Sequence, residues 1–296
     1  MRIGLTGASG FIGREIIRQA RNQRDAVVAF SRHLDRTISG SAQVRVFGPE
    51  MDLSGLDAVI HLAGEPIIGL WTATKQRRIL DSRVQGTRWL VESANRAKPP
   101  PAVLVSASGI NIYGDRGDER LPESAAIGNS GFLRKVAVAW EQEAQRACSA
   151  GVRVVCVRIA MVLGKEAGAL PLMARVFRLG GGGRLGTGRQ WMPWIHIRDL
   201  AALFLHASRT ELLKGPINGC APNPVRNADF TRILGKIVRR PTIFPVPAFI
   251  LRTALGNESS LLLDSLRVIP EQALKSGFEF RFPELYAALA DVLGEK

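Results

Sequence analysis

The chain has 296 residues, of which 46% are hydrophobic and 22% are charged, and its formal net charge is +14. This length and composition suffice for a buried core and exclude a disordered chain. No apolar run reaches the roughly 18 residues that a membrane span needs. The first predicted strand starts at Arg2, so cleavage of a signal peptide would destroy it. Three cysteines without paired spacing predict neither disulfides nor a zinc site. We therefore expect a cytoplasmic protein with reduced thiols and no membrane partner.

The net charge is compatible with nucleic acid, a membrane surface or a phosphorylated ligand. The basic residues are nevertheless spread along the whole chain, without a Lys/Arg-rich run, zinc-finger spacing or an aromatic RNA-binding signature. We interpret them as solvated faces and expect no nucleic-acid partner. The sequence also lacks a metal-binding cluster of His, Asp and Glu, so we expect no metal.

Short β-branched runs alternate with helical patterns from Arg2 to Ile159. This alternation predicts an α/β fold, namely a Rossmann-type, doubly wound parallel sheet with helices on both faces. The gap between the second and third strands is too short for a clear crossover helix, so we expect an irregular connection there. The predicted strands are Arg2–Thr6, Ala26–Phe30, Val44–Phe47, Ala58–Leu62, Val103–Ser106 and Val152–Ile159, and the predicted helices are Ile12–Arg21, Thr74–Ala97 and Phe132–Ser149.

Glycine and proline become frequent in the second half, as in GGGGRLGTGRQ and FPVPAF. We predict a Rossmann domain over residues 1–164, to which residues 194–220 return, and a smaller mixed C-terminal region on the substrate side over residues 165–296. Its predicted helices are Leu170–Arg178, Asp199–Ser208, Asp229–Arg239 and Pro283–Leu293.

A glycine motif, TGASGFIG, follows the first strand and opens the first helix. Gly7 permits the tight turn, Gly10 lets the backbone approach a pyrophosphate, and Gly13 allows close packing of helix on strand. The N–H groups at the helix start face the phosphates, where the helix dipole places roughly half a positive charge. The motif predicts a dinucleotide site that includes Gly7, Ser9, Gly10, Phe11 and Ile12.

The second strand leads into Ser31 and Arg32, where an NAD-selective site usually has Asp or Glu for the ribose 2′-hydroxyl. A carboxylate would repel a 2′-phosphate, whereas a guanidinium can bind one through two charge-assisted hydrogen bonds. We therefore expect NADP(H) as the cofactor. The alternative is that Arg32 is a surface arginine and that the selection is made elsewhere.

The segment DAVIHLAG is a predicted buried strand that runs into a turn of small residues. Small residues at the carboxyl end of a parallel strand let a ligand lie against the backbone. Leu62, Ala63 and Gly64 are thus candidates for the adenosine and ribose side of the cofactor. His61 is better interpreted as a core histidine than as a catalyst.

Together these motifs resemble a known family. TGASGFIG, DAVIHLAG, the strand end Ser106-Ala107-Ser108 and WIHIRDLA are similar to extended short-chain dehydrogenases/reductases, the superfamily of the sugar-nucleotide epimerases. LAGEPI, RIAMVLG, FRLGGGG, NGCAPNPVRN and GFEFRFPEL resemble an epimerase-like subgroup of poorly defined function with its typical C-terminal domain. The resemblance runs from Gly7 to Leu285 and implies the fold and NADP binding.

The sequence departs from the chemistry of that superfamily. Working members carry Tyr-x-x-x-Lys on one helix face, where the Lys charge lowers the pKa of the proton-exchanging Tyr. The corresponding helix here contains no Tyr. If Phe132 takes the Tyr position, Val136 takes the Lys position. If Leu133 takes the Tyr position, Ala137 takes the Lys position. Members of the subgroup usually lack the pair as well.

Ser108 and Tyr113 remain as candidate catalytic residues. Ser108 ends the fifth strand, and Tyr113 lies in the loop that follows it. Tyr113 is the better candidate proton donor, although a packing role is an equal alternative, and without a neighbouring cation its pKa would stay near 10. Arg83 could reach the cofactor phosphates or ribose, which the resemblance supports, and Val162 should pack on the nicotinamide.

The segment from Gly186 to His196 is a glycine loop that leads into aromatic residues. The resemblance implies that it lines a substrate cleft. The candidate substrate residues are Arg158, Arg189, Gln190, Trp191 and His196, with structural roles as the alternative.

Two functions follow. One is an NADP(H)-binding, epimerase-like oxidoreductase that acts on a small metabolite, anionic if the arginines bind it. The other is a non-catalytic NADP(H)-binding protein that senses redox state or binds a partner.

Overall fold

A single parallel sheet of seven strands forms the centre of the molecule. The computed structural model describes residues 1–34 and 37–294, apart from the side chain of Asn257. The strand order is β3-β2-β1-β4-β5-β7-β11, and every neighbouring pair is parallel. The bounds are β1 Arg2–Thr6, β2 Ala26–Ser31, β3 Gln43–Val46, β4 Ala58–His61, β5 Val103–Gly109, β7 Arg153–Ile159 and β11 Gly215–Gly219.

Helices cover both faces of this sheet, because successive side chains of a strand point to opposite faces. Val103 and Val105 of β5 pack in the cluster that contains residues of helices α1 (Phe11–Asn22) and α5 (Ile197–Arg209), whereas Leu104 packs with residues of α2 (Ala73–Arg96). The doubly wound Rossmann-type fold predicted from the sequence is confirmed. The helices are α1 Phe11–Asn22, α2 Ala73–Arg96, α3 Phe132–Gln145 and α5 Ile197–Arg209.

The connection between β2 and β3 is irregular, as its short length predicted. Its described parts, residues 32–34 and 37–42, contain no helix. Ile38, from this connection, is buried in the same cluster as Ile17 of α1. Between β2 and β3, a loop therefore covers the hydrophobic core, as a crossover helix does between other strands of the sheet.

The C-terminal region has its own small core, built around Phe230, Leu234, Leu285 and Leu289. α5 and β11 lie with the main sheet rather than with this core. None of the described helices combines the length and the apolar character that crossing a membrane requires. The remaining elements are β6 Arg120–Leu121, β8 Met161–Leu163, β9 Trp191–Met192, β10 Trp194–His196, β12 Val225–Arg226, β13 Arg267–Val268, α4 Leu170–Arg178, α6 Asn227–Ile237, α7 Ala248–Leu255, α8 Ser260–Leu263, α9 Glu271–Lys275 and α10 Leu285–Leu293.

Candidate functional site

The glycine turn between β1 and α1 has the shape that a bound pyrophosphate needs. Gly7 has a φ of +68°, and the Gly10 amide donates to the Gly7 carbonyl at 2.9 Å. A Cβ on Gly13 would lie 2.3 Å from that carbonyl oxygen, so only glycine lets α1 approach this closely. The N-cap residue of α1 is Gly10, no side chain of the described residues caps the helix, and its first turn has no acidic residue. The amides at the helix start are therefore free of side-chain competition for a phosphate.

Phe11 and Arg14 connect this turn to the loop that follows β8. The Phe11 ring lies against Gly164, where a Cβ would come within 2.2 Å of the ring. Arg14 donates to the Ser9 carbonyl at 2.9 Å and pairs with Glu166 at 2.8 Å. Ser9 is exposed, and Val162 of β8 is half-buried. The two loops thus meet at the carboxyl end of the sheet, where α/β proteins bind their ligands.

Arg32 follows β2 in an exposed turn. The Ser31 hydroxyl donates to the His33 carbonyl at 2.9 Å and accepts from the His33 amide at 3.1 Å, which holds the loop in a turn. Arg32 itself is exposed, and within residues 1–34 and 37–294 no hydrogen bond or ion pair engages its side chain. An exposed arginine that follows a structured turn and is not held by a hydrogen bond or ion pair to another described residue is suited to bind an anion.

His61 at the end of β4 is a core histidine, as expected. The Thr6 hydroxyl lies 2.7 Å from Nδ1 and accepts from the Leu62 and Ala63 amides at 3.1 Å each, so it donates to Nδ1. Nε2 lies 3.0 Å from the Thr87 hydroxyl. Burial, reinforced by the nearby charge of Arg83, lowers the pKa of His61 to about 3. The ring is neutral and holds the turn in place.

Arg83 reaches from α2 to the backbone of the same turn. It donates to the carbonyls of Glu65 and Ile79 at 3.0 and 3.1 Å, and its guanidinium lies 4.9 Å from the centre of the Trp140 ring. A Cβ on Gly64 would lie 3.2 Å from the guanidinium carbon. Burial lowers the pKa of Arg83 to about 10, so the side chain remains charged at neutral pH. Arg83 therefore places a positive charge directly beside Gly64.

Apolar side chains occupy the positions on α3 where a Tyr-x-x-x-Lys pair would lie. Phe132 and Val136 pack in a cluster with Trp71 and Ile79, and the Phe132 and Trp71 rings meet edge to face at 5.4 Å. In the alternative register, Ala137 is buried. Neither register provides a titratable group.

The candidate catalytic residues lie in a buried polar network. Ser108, Arg158 and Asn218 are direct neighbours across β5, β7 and β11. The Ser108 hydroxyl donates to the Glu141 carboxylate at 2.7 Å, and Arg158 binds the same carboxylate with two contacts of 2.9 Å. Each polar group is thereby bonded to another protein group.

Tyr113 belongs to the same network and is completely buried. Arg158 donates to its hydroxyl at 2.8 Å, and the hydroxyl donates to Asn218 at 2.8 Å. Burial raises the pKa of Tyr113 even though the Arg158 charge opposes that shift. A neighbouring cation is thus present, but it does not activate the phenol.

The candidate substrate residues separate into two groups. His196 caps α5 by accepting from the Arg198 amide, and its buried ring stacks on Phe282 at 3.9 Å. Burial lowers the pKa of His196 to about 4. The Nε2 atom of His196 lies 3.2 Å from an Asp291 carboxylate oxygen, but the geometry of this contact is not that of a hydrogen bond. Gln190 donates to the carbonyls of Leu185 and Leu262. Both side chains are engaged in holding the backbone or the core.

Trp191 and Arg189 lie at the surface instead. The guanidinium groups of Arg226 and Arg267 lie 4.6 and 4.7 Å from the centre of the Trp191 ring. The indole N–H donates to Asp118 at 2.7 Å, and Arg226 donates to the Arg189 carbonyl. These residues form a patch of one half-buried aromatic ring and three arginines, in which Asp118 pairs with Arg226 at 3.0 Å.

Sequence reasoning missed Glu141 and Trp140, which organise the network and support Arg83. One signal was available: Arg158 follows four apolar residues of its strand, and a buried arginine requires an acidic partner. The partner could not be chosen from sequence, because 17 residues separate it from Arg158.

The fold and this site define a dinucleotide-binding protein of the Rossmann class. Comparison with known families identifies it further. Residues 3–218 match the NAD dependent epimerase/dehydratase family, and residues 246–292 match a domain of unknown function, DUF1731. The chain belongs to the epimerase/dehydratase family, which confirms the resemblance found in the sequence.

Relatives extend over the whole chain. The Epimerase family protein YfhF of Bacillus subtilis is 35% identical over 301 residues, covering 100% of this chain and 99% of that protein. The human Epimerase family protein SDR39U1 is 33% identical over 300 residues, covering 99% of this chain and 100% of that protein. A crystal structure of human SDR39U1, isoform 2, with NADPH has a TM-score of 0.91 at 31% identity, with full coverage of both chains.

Proposed function

We propose that this protein binds NADP(H). The exposed guanidinium of Arg32, which follows the strand next to the glycine turn and has no hydrogen bond or ion pair to residues 1–34 or 37–294, carries this proposal. A 2′-phosphate would give that charge a partner, and Ser31 and Arg32 stand where an NAD-selective site usually has Asp or Glu. The human relative solved with NADPH supports the same cofactor.

The site residues fit the parts of this cofactor. The amides of Gly10, Phe11 and Ile12 would hold the pyrophosphate, together with the turn at Gly7 and Ser9. Ser31 and Arg32 would hold the 2′-phosphate, and Leu62, Ala63 and Gly64 would line the adenosine and ribose side. Arg83 would bind ribose or phosphate, and Val162 would pack on the nicotinamide. When bound, the cofactor supplies hydride chemistry.

We further propose that binding, rather than turnover, is the main function of this site, as in a redox-sensing or partner-binding protein. The support is the apolar cluster of Phe132 and Val136, which provides no proton donor where the superfamily resemblance implies one. Ser108 and Tyr113 are the remaining candidates. Their hydroxyl groups donate within the protein, and Tyr113 has no solvent exposure.

The second candidate is an oxidoreductase that acts on a small anionic metabolite. The observation that favours it is the surface patch of Trp191 with Arg226 and Arg267 on the substrate side of the fold. An aromatic ring with flanking cations can bind a flat or anionic group. The acid or base for such a reaction would come from Ser108, Tyr113, the substrate or water.

A cytoplasmic location is part of this proposal. All three cysteines are free, and Cys148 is exposed. An exposed thiol is compatible with a reducing compartment.

Binding measurements test the cofactor. Isothermal titration should give a lower dissociation constant for NADPH than for NADH, and Arg32→Ala should weaken NADPH binding roughly 10- to 100-fold while leaving NADH binding nearly unchanged. Lys214→Ala is the matched control, since it also removes an exposed cation. Equal affinities for the two nucleotides, or no loss in Arg32→Ala, would refute the NADP(H) assignment.

A turnover assay separates the two functions. Purified protein with NADPH is followed at the reduced-nicotinamide absorbance band against a library of carbonyl compounds, including anionic ones. Tight binding without oxidation by any compound supports the binding protein. Turnover that is lost in Tyr113→Phe, in a variant that still binds NADPH, supports the oxidoreductase.

A further inference from the structure

Two stretches of the chain contain no acidic residue, and neither contains a residue of the proposed cofactor site. Residues 167–198 and residues 230–257 have neither Asp nor Glu, although the chain has 26 acidic residues in all. Both stretches contain several arginines. Part of the +14 net charge is therefore concentrated in two segments.

The fold brings these two segments side by side. The Arg240 guanidinium donates to the Arg178 carbonyl at 2.9 Å, and Leu185 and Val246 form a parallel bridge. A Cβ on Gly183 would lie 1.7 Å from the Phe244 carbonyl oxygen, so the two backbones are in direct contact there. We call the surface formed by residues 172–184 and 239–252 the α4–α7 face.

Large apolar side chains project from this face into solvent. Leu172 and Val176 of α4 and Leu179, the residue that follows the helix, are 63%, 42% and 80% exposed. Their spacing of four and three residues puts them on one helix stripe. The opposite side of the same helix, at Ala174 and Phe177, is buried.

The second segment contributes more of the same kind. Ile243, Phe244 and Phe249 are 71%, 75% and 67% exposed, and Ile250 is 46% exposed. Helix α7 has no buried residue among those described. Monomeric proteins rarely expose contiguous apolar patches of this kind unless the patch binds something.

Unpaired cations surround these apolar side chains. The exposed arginines of the face have no ion-pair partner within the described residues 1–34 and 37–294, and they are Arg175, Arg178, Arg184, Arg239, Arg240 and Arg252. The cations favour a binding partner with a broad negatively charged surface, and the apolar side chains favour a partner with an apolar layer beneath that surface. A membrane leaflet rich in anionic lipid has this combination.

We propose that the α4–α7 face binds the surface of an anionic lipid membrane. The leucines and phenylalanines enter the boundary between headgroups and acyl chains, and the arginines contact the lipid phosphates. Helices of nine and eight residues, α4 and α7, are long enough to lie in that boundary and too short to cross it. The sequence led us to expect no membrane partner because a spanning segment is missing, and surface binding requires none.

Vesicle sedimentation of the full chain tests the proposal. The probes are vesicles of phosphatidylcholine alone and vesicles of phosphatidylcholine with phosphatidylglycerol in roughly equal amounts. The protein should sediment with the anionic vesicles only, and added salt should release it. Leu179→Ser and Phe244→Ser should each weaken binding about tenfold. Arg175→Gln and Arg252→Gln should each weaken it about fivefold.

The matched control is Leu212→Ser with Lys214→Gln. Leu212 is 92% exposed, and both residues precede β11 at the amino end of the sheet, away from α4 and α7. This control should bind vesicles like the wild type. Every variant should keep its unfolding midpoint and its NADPH affinity, because the substituted side chains are exposed.

Three outcomes would overturn the proposal. The first is no binding to anionic vesicles. The second is equal binding to both kinds of vesicle, together with arginine variants that bind as well as the wild type. The third is lipid-free self-association of the wild type that Leu179→Ser abolishes, because the face would then be an interface between protein chains.

Discussion

Glu141 of α3 and Arg158 of β7 form a two-point ion pair, with Nε and Nη2 of the arginine each 2.9 Å from a different carboxylate oxygen. The Arg158 side chain is 5% exposed and the Glu141 side chain 14%. The helix that lacks the Tyr and Lys pair is thus attached to the central sheet through a carboxylate. The same carboxylate accepts the Ser108 hydroxyl, so one acidic residue connects two candidate site residues.

Glu141→Gln should lower the free energy of unfolding by about 3–5 kcal/mol, because it leaves Arg158 buried without its counter-charge. Urea denaturation measures the loss. Glu271→Gln is the control, since it removes an exposed pair with Lys275 and should cost less than about 1 kcal/mol. A Glu141→Gln variant no less stable than this control would contradict the assignment.

Tyr113→Phe should lower the free energy of unfolding by about 1–3 kcal/mol, because Arg158 and Asn218 each lose a buried hydrogen-bond partner. NADPH affinity, measured by titration, should not change. Tyr286→Phe, at a residue 56% exposed, should alter neither quantity. If Tyr113→Phe instead weakens NADPH binding and leaves stability intact, the hydroxyl faces the cofactor.

Gly13→Ala and Gly10→Ala should have different effects. At Gly13 the new methyl would lie 2.3 Å from the Gly7 carbonyl oxygen, so we expect a stability loss of about 1–3 kcal/mol together with weaker NADPH binding. At Gly10 the new methyl would lie 3.1 Å from the same oxygen, which is a much milder contact. That variant should stay folded in thermal melts and bind NADPH more weakly, because the methyl obstructs the approaching pyrophosphate. Wild-type affinity in Gly10→Ala would argue against a pyrophosphate there.

Asp264 should make folding less favourable as the pH rises. Burial, with a smaller contribution from the Asp115 carboxylate, raises its pKa from 3.8 to about 6. The native state then holds this proton more tightly than the unfolded state, so stability decreases between about pH 4 and pH 6 and stays lower above that window. Asp264→Asn should stabilise the protein by about 1–2 kcal/mol at pH 7, after allowance for solvent screening, and by nothing below pH 4. Thermal melts across this range measure the effect, with the exposed Asp229→Asn as the control. A gain that does not depend on pH would show that the carboxylate charge is not responsible.

Local signals in the sequence were sufficient for the sheet, the main helices and the glycine turn. Predicted strands such as Arg2–Thr6 and helices such as Leu170–Arg178 have the observed bounds. α7 was missed because its apolar residues follow a proline-rich run and show no buried stripe. The family resemblance implied that the segment from Gly186 to His196 lines a substrate cleft, yet Gln190 and His196 bond to backbone atoms and lie in or near the core.

By itself the sequence determined the parallel α/β architecture, the turn at Gly7 and the basic residue at position 32, because side-chain periodicity and backbone sterics act over a few neighbouring residues. Only the tertiary structure decided that Tyr113, Arg158 and Asn218 bond to one another, since strand register joins residues up to 105 positions apart. The tertiary structure also decided which apolar side chains remain exposed to solvent. Burial is a property of the assembled chain, and Leu179 is as hydrophobic as any leucine in the core.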